Sequence, residues 1–289
     1  MISKLILGTV QLGLDYGINN SQGKPSTKAA HRILDCAFDA GISSLDTAAA
    51  YGNSHEVLGS WFGLGGKADM QVFTKLAPDV DLHSNTIKQF LTELKIESLA
   101  GLSFHRLADF KRSHAHRRDH LTAIINSELV GKLGVSMHSN DELDFCHTRK
   151  EIELVQLPYN ALDNAFQRKS AFTQAQDQGI EIQTRSAFLQ GLFFKNEDSF
   201  PLNLEGLIPA IREIKSIALA ADLPTGQLVL CYALRGTSNG VVIGVDSVKQ
   251  LEEILTWSEK CTQVPEEAIE QIDAIKISNT SLLNPANWS

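Results

Sequence analysis

The chain has 289 residues, 43% of them hydrophobic, and 26 Lys and Arg stand against 34 Asp and Glu for a formal net charge of −8. That length and apolar content can bury a large core, and no stretch rich in Ser, Pro and Gly reads as a linker, so 1–289 is expected to form a single domain. The acidic balance argues against a nucleic-acid or anionic-membrane surface as the main partner and points to small molecules, with the oligomeric state left open.

The first residues, MISKLILGTVQLGL, enter a strand-like pattern without the basic flank, long apolar centre and cleavage site of a secretory signal. No stretch reaches the ~18 apolar residues of a membrane helix, so a cytoplasmic protein is expected. Short runs rich in Val, Ile and Leu recur at 4–10, 43–48, 71–75, 100–105, 132–138, 153–159, 180–186 and 240–245, which gives eight candidate strands. Helical-period segments lie between them. In 26–41, Ala30, Ile33, Leu34, Ala37 and Phe38 share one face, with Ser26 placed to cap the start and Gly41 the end. Similar segments occupy 86–95, 166–179 and 247–260. The run 188–207 is long and mixed, and reads as a loop insertion after strand seven that can cover a site. Cys36, Cys146, Cys231 and Cys261 stand far apart without C-x-x-C spacing and are expected to be reduced and buried.

Strands buried on both faces and separated by single helices pair in parallel, and eight such units close into a (β/α)8 TIM barrel. The alternative, an open doubly wound sheet, normally brings a G-x-G-x-x-G turn after the first strand, which GTVQLGLDYG does not match. At the strand ends stand Asp46, Lys75, His105, Ser136, Gln156 and Ser186, at intervals of 29, 30, 31, 20 and 30 residues, each roughly one βα unit. In a barrel those ends share one mouth, where active sites are built. Tyr51, in SLDTAAAYGNSHEVLG, follows Asp46 by five residues and joins the same mouth. A phenol titrates near ~10 in water, and an adjacent ammonium favours its ionised form. Lys75 supplies the ammonium, Asp46 the carboxylate that keeps it charged, and a neutral His105 can hydrogen-bond the carbonyl oxygen that Tyr51 protonates.

In order along the chain, DTAAAYGNSHEVLG, FTK, FH, GVS, QLPYN, RSAFLQGL and VIGVDSVKQLEE resemble the landmarks of the aldo-keto reductases over residues 4 to 256. The resemblance implies a (β/α) barrel that reduces aldehydes, ketones or sugar-like carbonyls with NADPH, NADH being the alternative. It implies that Tyr51 is the general acid, Lys75 and Asp46 its tuning pair, and His105 the residue that orients the carbonyl. By the same resemblance Ser136 and Gln156 hold the nicotinamide carboxamide, and Gly8, Thr9, Arg185, Ser186, Leu189 and Gly191 belong to the cofactor site. Gly244, Asp246, Ser247, Gln250 and Glu253 fall where the adenosine end is wrapped.

Several positions depart from that pattern. Met137 replaces a common Asn after the GVS serine, Ile254 an adenine-contacting Asn, and Arg185 the aromatic ring that stacks on the nicotinamide. Arg185 can stack too, but brings charge. Asp246 stands where Arg or Ser is common; a carboxylate there repels a 2′-phosphate and can accept from ribose hydroxyls. Lys249, Ser247 and the helix start offset this, which predicts a preference for NADPH over NADH of less than about a hundredfold, or ~2.7 kcal/mol.

Other features carry blander readings. His114, His116 and His120 lie past the strand end and are read as a solvated loop and helix start rather than a metal or nucleic-acid site. The stretch 159–167 is read as the start of a helix, with Tyr159 and Asn160 at the mouth, and Trp61, Trp257 and Trp288 as packing residues. Asp15, Asn19, Arg106 and Arg185 are polar mouth residues that suit a hydroxylated or anionic substrate. The functional alternative is a cofactor-binding sensor on the same fold with little turnover. A metal-dependent hydrolase would want paired histidines after strand one, where GTVQLG stands.

Overall fold

The computed structural model describes every residue except 19, 21, 22, 66, 68, 81 and 289. The expectation for Asn19 therefore lies outside the described residues. The strands are β1 (Leu5–Gly8), β2 (Ser44–Asp46), β3 (Gln71–Lys75), β4 (Leu99–Phe104), β5 (Val130–Ser136), β6 (Leu154–Pro158), β7 (Glu181–Arg185) and β8 (Gly240–Gly244). All are parallel, pair in sequence order, and close through β1 and β8, as the (β/α)8 expectation requires. Every residue of β1 and of β6 is buried, because helices cover the outside of the barrel while side chains fill its interior.

The covering helices are α1 (Val10–Gly13), α2 (Thr27–Asp39), α3 (Ser54–Phe62), α4 (Ser84–Leu94), α5 (Leu107–His116), α6 (Arg118–Ile125), α7 (Asn140–Cys146), α8 (Ala165–Asp177), α9 (Ile208–Ala220), α10 (Thr225–Arg235), α11 (Val248–Glu259) and α12 (Glu266–Ala274). In α2 the Ser26 hydroxyl accepts from Ala29 N, Gly41 takes the left-handed conformation at φ 86° beyond the last turn, and Ala30, Ile33, Leu34 and Ala37 are buried. Each such side chain contributes about 1.5–3 kcal/mol on burial. Phe38, expected on the same face, is half-buried and meets Trp61 edge-on.

Four expectations change. The run 188–207 is not an open loop: it folds into the 3-10 turns Leu189–Phe194, Glu197–Ser199 and Leu202–Leu207, which bury Leu189, Leu192, Phe193, Leu204 and Leu207. The histidine-rich run is helical, as α5 and the start of α6, and the His114 imidazole pairs at 3.0 Å with Glu151, a carboxylate in the connection between α7 and β6. Residues 159–164 form a turn before α8, in which Tyr159 stacks on Tyr232 and Asn160 accepts from Leu162 N and Asp163 N. Finally, Cys231 and Cys261 are not reduced. They form a disulfide, with Cα atoms 4.9 Å apart, that ties α10 to the turn after α11, while Cys36 and Cys146 are free. A separation of 30 residues gives no local signal of such a pair.

Candidate active site

Asp46 is the last residue of β2, and its backbone pairs with Gly8 on one side and Phe73 on the other. Lys75, at the end of β3, donates to both of its oxygens at 2.6 and 2.7 Å and to Thr47 O at 3.3 Å. Gln156 Nε2, from β6, also donates to Asp46, at 2.8 Å. Asp46 and Lys75 are 4% and 2% exposed, so each requires the other. Burial works against the Lys75 ammonium, but the charges of Asp46 and Tyr51 and the bond to Asp46 outweigh it and raise its pKa.

Tyr51 is held by the turn after β2. Gly52, at φ 54°, packs so closely on the backbone of Gly13 that a Cβ there would lie 2.3 Å from Gly13 O; any side chain would push the turn outward. Beneath it, the Thr9, Thr47 and Ser54 hydroxyls bond one another, at 2.8 Å (Thr9–Ser54) and 3.0 Å (Thr47–Ser54). His55 lies between Glu93 and Thr74, at 3.1 and 2.9 Å. The GNSHEVLG residues around the phenol thus serve largely as its scaffold. The Tyr51 ring meets His105 edge-on with centroids 6.1 Å apart, and Lys75 Nζ lies 5.4 Å from its centre. Burial, then the charges of Lys75 and Arg185, push His105 down to about 4, which leaves a neutral imidazole.

These groups open into a cavity of about 1110 Å³ at the C-terminal ends of the strands. It exceeds the ~300–1,000 Å³ of sites for drug-sized ligands, as a long cofactor together with a substrate requires. Of the expected residues, Gly8, Thr9, Asp46, Tyr51, Lys75, His105, Ser136, Gln156, Arg185, Ser186, Leu189, Gly191, Gly244, Asp246, Gln250 and Glu253 line it, as do Arg106 and Ile254. Ser247 does not: its hydroxyl caps α11 by accepting from Gln250 N. Asp15 also lies off the cavity, accepting from Lys24 N, as do Tyr159 and Asn160. Met137 is fully buried with its sulfur 4.0 Å from Cys146 Sγ.

Several lining residues gave no sequence signal. Trp257, expected to be a packing residue, lines the cavity beside Phe188, Phe194 and Gly226, and residues 284–286 line it as well. Gln190 reaches across the mouth to the Tyr16 hydroxyl at 3.0 Å. Ser186, Leu189 and Gln190 have φ of 66°, 47° and 53°, and such costly conformations in non-glycine residues cluster at functional sites.

The polar atoms suit a nicotinamide cofactor. Gln156 Oε1 is buried without a protein partner while its Nε2 is committed to Asp46, so it can accept from a carboxamide. Gln11 Oε1 and Asp246 Oδ1 are also without partners, and both side chains line the cavity.

The sequence profile described as the Aldo/keto reductase family matches residues 4–277. The chain belongs to that family. It is 25% identical over 276 residues to the aldo-keto reductase str7 of Strobilurus tenacellus, a match covering 86% of this chain and 80% of that one. The fold is similar to the holo form of an aldo-keto reductase from Bacillus halodurans, with a TM-score of 0.74 at 18% identity over 96% and 94% of the two chains. The protein is thus an oxidoreductase of the aldo-keto reductase type, in a family that uses nicotinamide cofactors and acts on small carbonyl compounds.

Proposed function

We propose that the protein is a nicotinamide-dependent carbonyl reductase for an aldehyde, ketone or sugar-like substrate, in which Tyr51 is the general acid. The observation that carries this reading is the buried Lys75–Asp46 pair, 2.6 Å apart, beside the Tyr51 ring and near a neutral His105. The cofactor, when bound, supplies the hydride. His105 and Tyr51 direct their polar atoms at the carbonyl oxygen; the imidazole fixes it, and the phenol gives it a proton as negative charge develops there. Lys75, kept charged by Asp46, offsets the charge left on the phenol.

The residues fit either reduced cofactor. Ser136 and the free oxygen of Gln156 suit the carboxamide. At the other end the cavity lining includes Asp246 and Glu253, whereas its basic residues are Lys75, Arg106 and Arg185 at the mouth. Ser247 is engaged in its cap and Lys249 does not line the cavity, which removes the expected counterweight to Asp246. NADH is accordingly accepted alongside NADPH, within about a hundredfold.

The test is turnover with either reduced cofactor against a panel of aldehydes, followed by Tyr51→Phe and Lys75→Met. Tyr51→Phe should retain cofactor binding by fluorescence titration and lose about 10²- to 10⁴-fold in kcat. Lys75→Met should be similarly inactive with an unchanged circular dichroism spectrum. A Tyr51→Phe rate within a few-fold of wild type overturns the acid role.

A further inference from the structure

The basic side chains that line the cavity are Lys75, Arg106 and Arg185. Two of them have carboxylate partners. Lys75 is held by Asp46, and Arg106 by Asp79 at 2.7 Å and Asp109 at 2.9 Å. Arg168, behind the site, is gripped through both Nε and Nη2 by Asp163. Arg185 differs. Its Nη2 donates to Met137 O at 3.1 Å and lies 3.2–3.3 Å from the His138 ring nitrogens, and its Nη1 is 3.4 Å from Ser186 Oγ. All of these neighbours are uncharged, and none is a carboxylate.

A guanidinium carries five N–H donors in a planar fork that matches an oxyanion, and those neighbours leave part of the fork unused. Its surroundings belong to the reacting end of the cavity. The groups whose charge acts on Arg185 are the ionised forms of Tyr51 and Tyr16 and, more weakly, the carboxylates of Asp163 and Asp46, which hold Arg168 and Lys75 respectively; its own charge acts in turn on His105. Burial lowers the pKa of Arg185, the direction that results when water is removed from a cation without full compensation. A cation kept in that state beside the reacting groups is a cost that a bound anion would remove.

We propose that the substrate carries an oxyanion, a carboxylate or a phosphate, a few bonds from its carbonyl, and that Arg185 binds it. The inference rests on the carbonyl-reductase reading and adds the charge of the substrate. Arg106 is not the receptor, because its fork is already closed by two carboxylates. The cofactor phosphates are the competing anion, and the measurements below separate the two.

Two matched pairs serve as probes: butanal against succinic semialdehyde for a carboxylate, and glyceraldehyde against glyceraldehyde 3-phosphate for a phosphate. In at least one pair the wild-type kcat/KM should favour the charged member by tenfold or more. Which pair responds identifies the anion. In Arg185→Gln that ratio should fall to within about threefold, through a rise in KM for the charged member beyond whatever change it shares with the neutral one. Arg185→Lys should recover part of the preference. Equal kcat/KM within both pairs, an unchanged ratio in Arg185→Gln, or a weakening of NADH binding as large as the loss of charged-substrate preference overturns the inference.

A second readout does not depend on turnover. Calorimetric titration of the protein with benzoate and with inorganic phosphate should give salt-sensitive binding of at least one, weakened tenfold or more in Arg185→Gln. If every aldehyde fails while this binding is seen and lost in the variant, the reductase reading falls and the anion site stands. If neither anion binds the wild-type protein, the site falls.

Discussion

Asp246 is a carboxylate in a place that exacts a cost for it. Burial raises its pKa against the bond to Gln250, one of its oxygens has no protein partner, and it faces the cavity rather than a cation. Ribose hydroxyls would satisfy that oxygen, whereas a 2′-phosphate, with nearly two negative charges, would meet it as a repulsion. Asp246→Arg removes the repulsion and supplies a bidentate donor, so NADPH affinity should rise by about tenfold or more. Titration of cofactor fluorescence checks this. No gain, or a wild-type preference for NADPH above a thousandfold, would show that Asp246 points away from the ribose.

The loops that carry the site are fastened to one another by buried polar side chains at the ends of elements. Arg168, in the first turn of α8, takes Asp163 through two bonds of 2.7 and 2.8 Å, His138 O at 2.7 Å and Asn140 Oδ1 at 2.8 Å. It thereby joins the loop after β6 to the loop after β5, which carries His138 to Arg185. Asn164 continues the brace by donating to Ile272 O and Ile275 O at the end of α12. Both charges are nearly fully buried, at 7% and 2% side-chain exposure, so removing one leaves the other without compensation. Asp163→Ala should therefore destabilise the fold by about 3–5 kcal/mol, read as a lower urea midpoint at unchanged slope. A loss under ~1 kcal/mol would mean that water or another carboxylate reaches Arg168.

Stability of the whole barrel should depend on pH through its buried imidazoles. His105 falls to about 4 and His55 is also lowered, in both cases chiefly by burial. A histidine whose pKa is depressed on folding is neutral in both states above the unfolded value of ~6.5, where it costs nothing. As pH falls below that value, the unfolded chain gains protons that the folded protein refuses. Stability should thus decline from about pH 6.5 toward pH 4, and level off for His105 only below its folded value. Urea midpoints between pH 7 and 5, where most carboxylates stay ionised, isolate the effect; His105→Gln should flatten the decline. An unchanged slope in that variant would remove His105 as a source.

The period of the apolar runs was enough to read the architecture, because a strand buried on both faces must be a continuous Val, Ile and Leu run and each one lies near its observed position; β3 coincides with 71–75. That Asp46, Tyr51, Lys75 and His105, the proposed catalytic residues, share one cavity was legible for the same reason, since they hang from consecutive strand ends and closure of the barrel leaves them one mouth. What resisted reading was everything set by contacts between distant segments. Cys231 and Cys261 pair because α10 and the turn after α11 pack together, and Trp257 becomes part of the cavity wall because the 3-10 turns after β7 fold against it. Ser247 illustrates the converse: its sequence position suited a phosphate, but its hydroxyl is taken by the helix it begins. Local patterning fixes which face of an element is apolar and how far apart its ends lie. Which side chains then lack partners, as Arg185 lacks a carboxylate and Gln156 a donor, depends on the sum of neighbours from every strand at once, and only the folded barrel decides that.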